Sequence, residues 1–206
     1  HSALRPFDDL MRRFIRENEI PGGALAVAKD GRLLYARGFG WADRESAIPV
    51  QPHSLFRIAS ISKPVTAVAI LRLVDQGKLK LDDPIFSRLP HKPHLQKGAK
   101  VDSRLKDITL RHLLQHRGGW DRARSFDAMF RPVRIARVLG KTPPASAVDV
   151  IRFMRGRPLD FKPGTRYAYS NLGYNVLGRV VEQVTCRRYE EYVRVEILKP
   201  LGITAM

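Results

Sequence analysis

Apolar positions near the N-terminus recur at helical spacing. Phe7, Leu10, Met11, Phe14 and Ile15 share one face, which predicts a helix from about Pro6 to Asn18, with Pro6 in its first turn. Pro21-Gly22-Gly23 stops it. The pattern then changes to two strand-like runs, Ala24 to Ala28 and Leu33 to Phe39, flanking Asp30-Gly31. That dipeptide between such runs predicts a tight antiparallel hairpin. Gly38 and Gly40 are expected to serve strand-end geometry.

Beyond the hairpin the period is helical. The most apolar helix is predicted from Ser60 to about Asp75, with Val65, Val68, Ala69 and Leu73 recurring along it and Gly77 closing it. Leu81 to Lys106 is rich in proline, lysine and histidine and reads as an extended loop with short turns. Thr109 is placed to cap a brief helix through Leu114, ended by Gly118-Gly119. A basic amphipathic stretch, Phe126 to Leu139, is interrupted at Pro132. Further helices are predicted over Ala145 to Arg155, Asn171 to about Val184 and Tyr189 to Leu198, with Phe161 to Ser170 irregular or strand-like. No internal repeat or low-complexity tract breaks this layout.

The layout is lopsided. A two-stranded hairpin alone is barely stable in water, and no clear strand follows residue 170. Either the opening helix alone covers the hairpin, or the strands that complete the sheet lie in polypeptide outside this sequence. The second is the expectation: one domain over 1–206, incomplete at its C-terminal side, with a helix and hairpin in 1–45 and a mainly helical part in 60–190.

Composition adds bounds. Of 206 residues, 44% are hydrophobic and 28% charged, which fits a folded globular chain. The longest apolar run, Val65 to Val74, is broken by Arg72 and falls short of the ~18 residues a membrane span needs. No charged segment followed by an apolar one opens the chain, so no signal peptide is read there. Cys186 is the single cysteine, which excludes an internal disulfide; a small core residue near a helix end is its expected role. Lys and Arg number 37 against 20 Asp and Glu, a net charge of +17. Such a balance favours anionic partners, an acidic cell-wall polymer among them, although a solvated basic face on an enzyme is the simpler reading. The arginines between Arg104 and Arg157 lack the interleaved aromatics of a base-stacking groove, so nucleic acid is disfavoured.

The candidate chemistry begins at Ser60-Ile61-Ser62-Lys63, a Ser-x-x-Lys pattern. Residues three apart share a helix face about 5–6 Å apart at Cβ, so a lysine amine can reach the serine hydroxyl. The helix N-terminus adds positive partial charge that favours a developing alkoxide. A second match, Ser103-Arg104-Leu105-Lys106, lies in a polar loop without an apolar helix behind it and reads as coincidence. Pro64 disfavours helical geometry at Lys63 but is tolerated in a first turn. Ser62 is a candidate for a hydrogen bond within the site or for a helix cap. His112 and His116, and His91 and His94, have spacings that invite a zinc reading, but no third ligand accompanies either pair. Trp41 and Trp120 are candidates for a pocket wall or, more simply, the core.

The second constellation is Tyr169-Ser170-Asn171, within a segment running from Pro163-Gly164 through Tyr174 to Leu177-Gly178. With Ser60-x-x-Lys63 a hundred residues earlier and Leu113-Leu114-Gln115-His116-Arg117-Gly118-Gly119 between them, the chain resembles the serine β-lactamase and penicillin-binding-protein superfamily, in its branch of class C β-lactamases, D,D-peptidases and related esterases. The resemblance runs from about residue 7 to 204. It implies an α/β (α+β) fold of the β-lactamase/transpeptidase type, a helical lobe beside an antiparallel sheet that this chain supplies only in part. It implies catalytic roles for Ser60 as nucleophile, Lys63 as its activator and Tyr169 as proton shuttle. Asn171 would bind substrate and Lys63, and the Ser60 N–H would form half of an oxyanion hole. The implied activity is a serine hydrolase acting through an acyl-enzyme on a β-lactam, a D-amino-acid peptide or a simple ester, with no metal or organic cofactor. The resemblance also implies a periplasmic or secreted setting.

The family's late Lys/His-x-Gly motif has no match after Asn171, so a complementing C-terminal chain is a candidate partner. The rival expectation is a non-catalytic or incomplete member whose basic surface binds an anionic polymer or a partner chain.

Overall fold

The computed structural model of the protein describes residues 4–206, so the first three residues of the expected helix-and-hairpin segment lie outside the described residues. The chain divides into two compact units, residues 1–58 and residues 59–206. In the first, helix α1 (Arg5–Glu17) carries Pro6 in its opening turn, where the missing N–H would have had no intrahelical partner. Strands β1 (Gly22–Lys29) and β2 (Arg32–Asp43) pair antiparallel with Lys29 opposite Arg32. Asp30 and Gly31 between them have φ of 51° and 70°, and a turn with both central residues at positive φ matches the twist of the strands it joins. A two-residue strand, β3 (Ile48–Pro49), extends the sheet in the order β1-β2-β3.

Helix α1 lies against this sheet. Tyr35 donates to Asp8 Oδ1 at 3.0 Å and Arg37 pairs with the same oxygen at 2.6 Å, while the Phe7 and Tyr35 rings are 6.3 Å apart. Gly38 departs from the expected strand-end role. A β-carbon there would come 1.9 Å from the Val50 carbonyl oxygen, so the position needs glycine because another backbone crosses it. Trp41 is exposed and belongs to no core.

The second unit is helical. A 3-10 turn at Ala59–Ile61 leads into α2 (Ser62–Asp75), followed by α3 (Ile85–Arg88), α4 (Leu110–Leu114), α5 (Pro132–Val138), α6 (Ala147–Arg155), α7 (Asn171–Thr185) and α8 (Tyr189–Tyr192). Helix α7 sits at the centre, packed on α2, α4, α6 and α8, with Val176, Leu177, Val180 and Val181 fully buried. Ala69, Ile70 and Leu73 of α2 and Leu110 and Leu113 of α4 meet them in one core. Each buried aliphatic side chain contributes roughly 1.5–3 kcal/mol of transfer free energy. Trp120 joins this core, edge-on to Phe86 at 6.3 Å. Among the described residues, no helix is long and apolar enough to cross a membrane.

Some stops and breaks have causes other than the expected ones. Helix α4 ends at Leu114, as the pattern predicts, but the residue that turns the chain there is His116, at a left-handed φ of 56°, and not the glycine pair. Gly119 serves another purpose: its carbonyl accepts the Asp160 N–H at 2.9 Å, tying in a distant segment. Pro132 begins α5 rather than interrupting a helix, as its fixed φ and absent N–H suit a first position. Cys186 is exposed rather than buried, because it takes the left-handed φ of 53° that terminates α7.

The segment read as an extended loop contains α3 and a 3-10 turn at Ser103–Asp107. The second Ser-x-x-Lys pattern lies in that turn, with Ser103 and Lys106 both exposed. Beside it, Asp102 accepts from Arg104 Nε at 3.0 Å, from Arg104 Nη2 at 2.6 Å and from the Leu159 N–H at 2.9 Å. Arg104 Nη2 also donates to the Leu159 carbonyl at 2.8 Å, so one ion pair clamps segments far apart in sequence. The Arg104 hydrogen bonds first, then those from backbone N–H groups, lower the Asp102 carboxyl from 3.8 to about 2.

A depressed carboxyl stabilises the fold above its unfolded value and loses that contribution as pH falls through the folded one. Asp102→Asn is expected to cost about 2 kcal/mol at pH 7, measured by urea unfolding. The difference from the unsubstituted chain should shrink as pH drops from 4 toward about 2.

Candidate active site

The turn before α2 exposes a serine. Ala59 sits at φ 44°, a region that non-glycine residues occupy rarely and at a cost. Ser60 follows it in the 3-10 turn, exposed to solvent. One helical turn on, Lys63 Nζ lies 3.2 Å from Ser60 Oγ and donates to it. Pro64 falls at the third position of α2, where N–H groups have no intrahelical acceptor, so it removes no helix bond. Ser62 does not cap α2; it is exposed and lines a cleft beside Ser60 and Lys63, and its carbonyl accepts from Thr66 Oγ1 at 3.1 Å.

The second arm comes from the start of α7. Residues 161–170 form no strand. Ser170 caps α7, its Oγ accepting from the Gly173 N–H at 3.2 Å. That cap leaves Tyr169 just outside the helix and makes Asn171 its first residue. Tyr169 Oη then lies 2.7 Å from Ser60 Oγ, and Lys63 donates to Asn171 Oδ1 at 2.7 Å. All four candidate residues therefore meet, across a separation of 109 positions between Ser60 and Tyr169.

Aromatic rings hold Tyr169 in place. His116 stacks on it with centroids 4.5 Å apart and planes 29° apart, and lies 5.1 Å from the Tyr174 ring. The Ser170 N–H donates to His116 Nδ1 at 3.1 Å, which assigns the neutral ring its proton on Nε2. Burial first, and then the charge of Lys63, lower the His116 pKa from 6.5. His116 thus acts as a neutral support. Its neighbour His112 accepts the Thr109 N–H in the α4 capping box. Among the described residues, no three His, Cys, Asp or Glu side chains cluster as metal ligands.

Two residues that the motifs did not single out complete the arrangement. Arg122 places its guanidinium carbon 4.9 Å from the Tyr169 ring centroid. Asp127 accepts from Asn171 Nδ2 at 2.7 Å and lies 3.9 Å from Arg122. Hydrogen bonding to Lys63 foremost, then to Ser60, with the charges of Lys63 and Arg122, lowers the Tyr169 phenol from 10.0. Once ionised, a phenol so disposed can take a proton from Ser60. Asp127 precedes a short turn, where an acidic cap could have been read. Nothing in the spacing says that it reaches Asn171.

A family model described as Beta-lactamase matches residues 7–206. The chain is 33% identical to Esterase EstB of Burkholderia gladioli over 211 residues, covering 98% of this chain and 50% of that protein. Among solved structures it is similar to the octameric penicillin-binding protein homologue from Pyrococcus abyssi, with a TM-score of 0.78, 32% identity and coverage of 97% and 43% of the two chains. It is also similar to EstCE1, a hydrolase with promiscuous acyltransferase activity, with a TM-score of 0.74, 31% identity and coverage of 95% and 50%. The chain thus spans half or less of the length of these proteins.

The support around Tyr169 can be tested by stability. His116→Ala removes a stacked ring and the acceptor of the Ser170 N–H, at an expected cost of about 2–4 kcal/mol in urea unfolding. Because the folded pKa of His116 is lowered, its contribution is intact above 6.5 and falls as pH drops below that value. The variant should lose that part of the pH dependence.

Proposed function

Because this chain belongs to the Beta-lactamase family, a family of hydrolases, we propose that it is a serine hydrolase working through an acyl-enzyme on an ester or amide. The observation that carries this reading is the position of Ser60 Oγ, 2.7 Å from Tyr169 Oη and 3.2 Å from Lys63 Nζ. Ser60 is the nucleophile and Tyr169 the base. Lys63 orients the hydroxyl and stabilises the phenolate.

In the first step Ser60 Oγ forms a bond to the substrate carbonyl carbon as its proton passes to Tyr169, and the carbonyl π electrons move onto oxygen. The Ser60 N–H serves as one donor to that oxyanion. Collapse breaks the bond to the leaving group, which takes the proton from Tyr169 and departs. Water then attacks the acyl ester, Tyr169 receives its proton, and the acid leaves as Ser60 is reprotonated.

A cleft of about 400 Å³ opens beside Ser60 and Lys63, with Asn171, Met129, Phe130 and Tyr174 among its walls. Its mixed lining suits an acyl group that pairs apolar bulk with a polar edge. Asn171 lines this cleft as well as bonding Lys63, which supports a part for it in holding substrate.

Intact-mass spectrometry after incubation with a fluorophosphonate, and separately with a penicillin, tests the reading. One adduct is expected with at least one probe and none in Ser60→Ala; no adduct with either probe would sink it. The labelling rate is expected to rise with pH along a limb below 10.0, the ordinary phenol value. Arg122→Gln removes a cation that favours the phenolate, so it should move that limb to higher pH.

A further inference from the structure

The orientation of the Asn171 amide is fixed from both sides. Lys63 Nζ can only donate, and it meets Oδ1 at 2.7 Å. The Asp127 carboxylate can only accept, and it meets Nδ2 at 2.7 Å. Turning the amide over would face NH₂ toward the amine and oxygen toward the carboxylate, breaking two bonds and creating two repulsions. Asp127 is itself held: its Oδ1 caps the 3-10 turn Ala128–Phe130 by accepting the Met129 N–H at 3.1 Å. Its side chain is 15% exposed, so little water competes for it. The described residues give Asn171 no other carboxylate partner.

We propose that Asp127 is a positioning residue for the acyl-transfer step, locking Asn171 so that its oxygen holds Lys63 against Ser60 while one amide hydrogen stays free for substrate. This inference rests on the serine-hydrolase reading. Asp127 acts through Asn171 and does not touch the reacting atoms. It also sits beside Arg122, whose guanidinium lies over Tyr169, so it partly offsets a cation that acts on the base. The charged and titratable groups facing Tyr169 and Asn171 are Lys63 from α2, His116 after α4, Arg122 and Asp127 before α5, and Tyr174 from α7. Asp127 is the acid among them.

Two substitutions separate the cap from the lock. Asp127→Ser retains a capping hydroxyl but is too short to reach Asn171. Asp127→Asn keeps the size but loses the charge, and its single oxygen can accept from the Met129 N–H or from the Asn171 amide, not from both. In fluorophosphonate labelling, Asp127→Ser is expected to slow the plateau rate by about tenfold or more, because Lys63 is no longer held in place. Asp127→Asn is expected to fall between Asp127→Ser and the unsubstituted chain, because its one oxygen is shared between two donors. In both, the loss of a negative charge beside Arg122 should move the pH limb of Tyr169 downward.

Thermal unfolding of the same samples gives the unfolded fraction at the labelling temperature, which is expected to stay small. A plateau and limb unchanged in Asp127→Ser would overturn the proposal. So would a rate loss in both variants that tracks the unfolded fraction without a shift of the limb. The Asn171 side-chain NH₂ signals, assigned in a ¹H–¹⁵N spectrum with Asn171→Ala, give a readout independent of activity. Slow exchange of one amide hydrogen, lost in Asp127→Ser, is expected; equal exchange in both proteins would overturn the lock. If the unsubstituted chain fails to label, the hydrolase reading falls, and these signals still decide whether Asp127 orients Asn171.

Discussion

The site depends on one amine with two acceptors. Lys63 Nζ reaches back along its own helix to Ser60 Oγ at 3.2 Å and across to Asn171 Oδ1 at 2.7 Å. The first bond follows from helix geometry, since residues three apart share a face. The second requires the N-terminal ends of α2 and α7 to converge. Packing between the helices supplies that: Ala69, Ile70 and Leu73 on α2 and Val176, Leu177 and Val180 on α7 are buried in the same core. The interior is dense enough that a lost methylene on either helix is felt elsewhere. The hydrogen bonds at the surface therefore inherit their precision from apolar contacts behind them. Tyr189 of α8 adds a polar tie, pairing its hydroxyl with Thr66 Oγ1 of α2 at 2.6 Å.

Charge at the site is arranged rather than merely abundant. The chain carries +17 overall, and several of its cations are paired, as Arg104 is with Asp102 and Arg166 with Asp121. Two cations act on the Tyr169 phenol, Lys63 and Arg122, and both lower it. Burial and Lys63 keep the His116 ring below it neutral, so the support adds no third positive charge. Tyr174 responds in the opposite direction: burial raises its pKa, and its hydroxyl donates to the Leu114 carbonyl at 3.1 Å. Two tyrosines near one histidine thus have different roles, set by their environments.

What the sequence makes legible follows the range of the interactions. The Ser60-x-x-Lys63 contact is local, so its geometry follows from the spacing of the two residues on a helix. The hairpin at Asp30-Gly31 and the Thr109 cap are local too, and both stand where the pattern puts them. Tyr169 and Asn171 can be linked to Ser60 only through family resemblance, because nothing in their own periodicity points across 109 residues. Contacts with neither a local rule nor a motif leave no trace in the sequence: Asp127 on Asn171, Arg122 over Tyr169, and Val50 across Gly38. The short strand β3 is hidden for a related reason, since two residues cannot display an alternation. Cys186 shows a different failure. Its apolar neighbours suggest burial, but the need for a left-handed residue to stop α7 outweighs the side chain's preference for the interior.

The two units carry unequal shares of the apolar packing, and this bears on where chemistry can be built. Helix α1 has no buried residue, and Leu10 and Phe14 on it are about half exposed, at 49% and 50%. The central apolar cluster draws instead on residues from Ala69 onward, all in the second unit. Ser60, Lys63, Tyr169, Asn171 and Asp127 belong to that unit as well. A hydroxyl, an amine and a phenol can be kept within hydrogen-bonding distance only if their helices resist relative motion of a few tenths of an ångström. That resistance comes from buried interdigitated side chains and not from the polar contacts themselves, each worth only about 1 kcal/mol net. The placement of all five residues on the well-packed helical unit is thus what the chemistry demands. The sheet, with exposed Leu33, Leu34 and Trp41, contributes none of them.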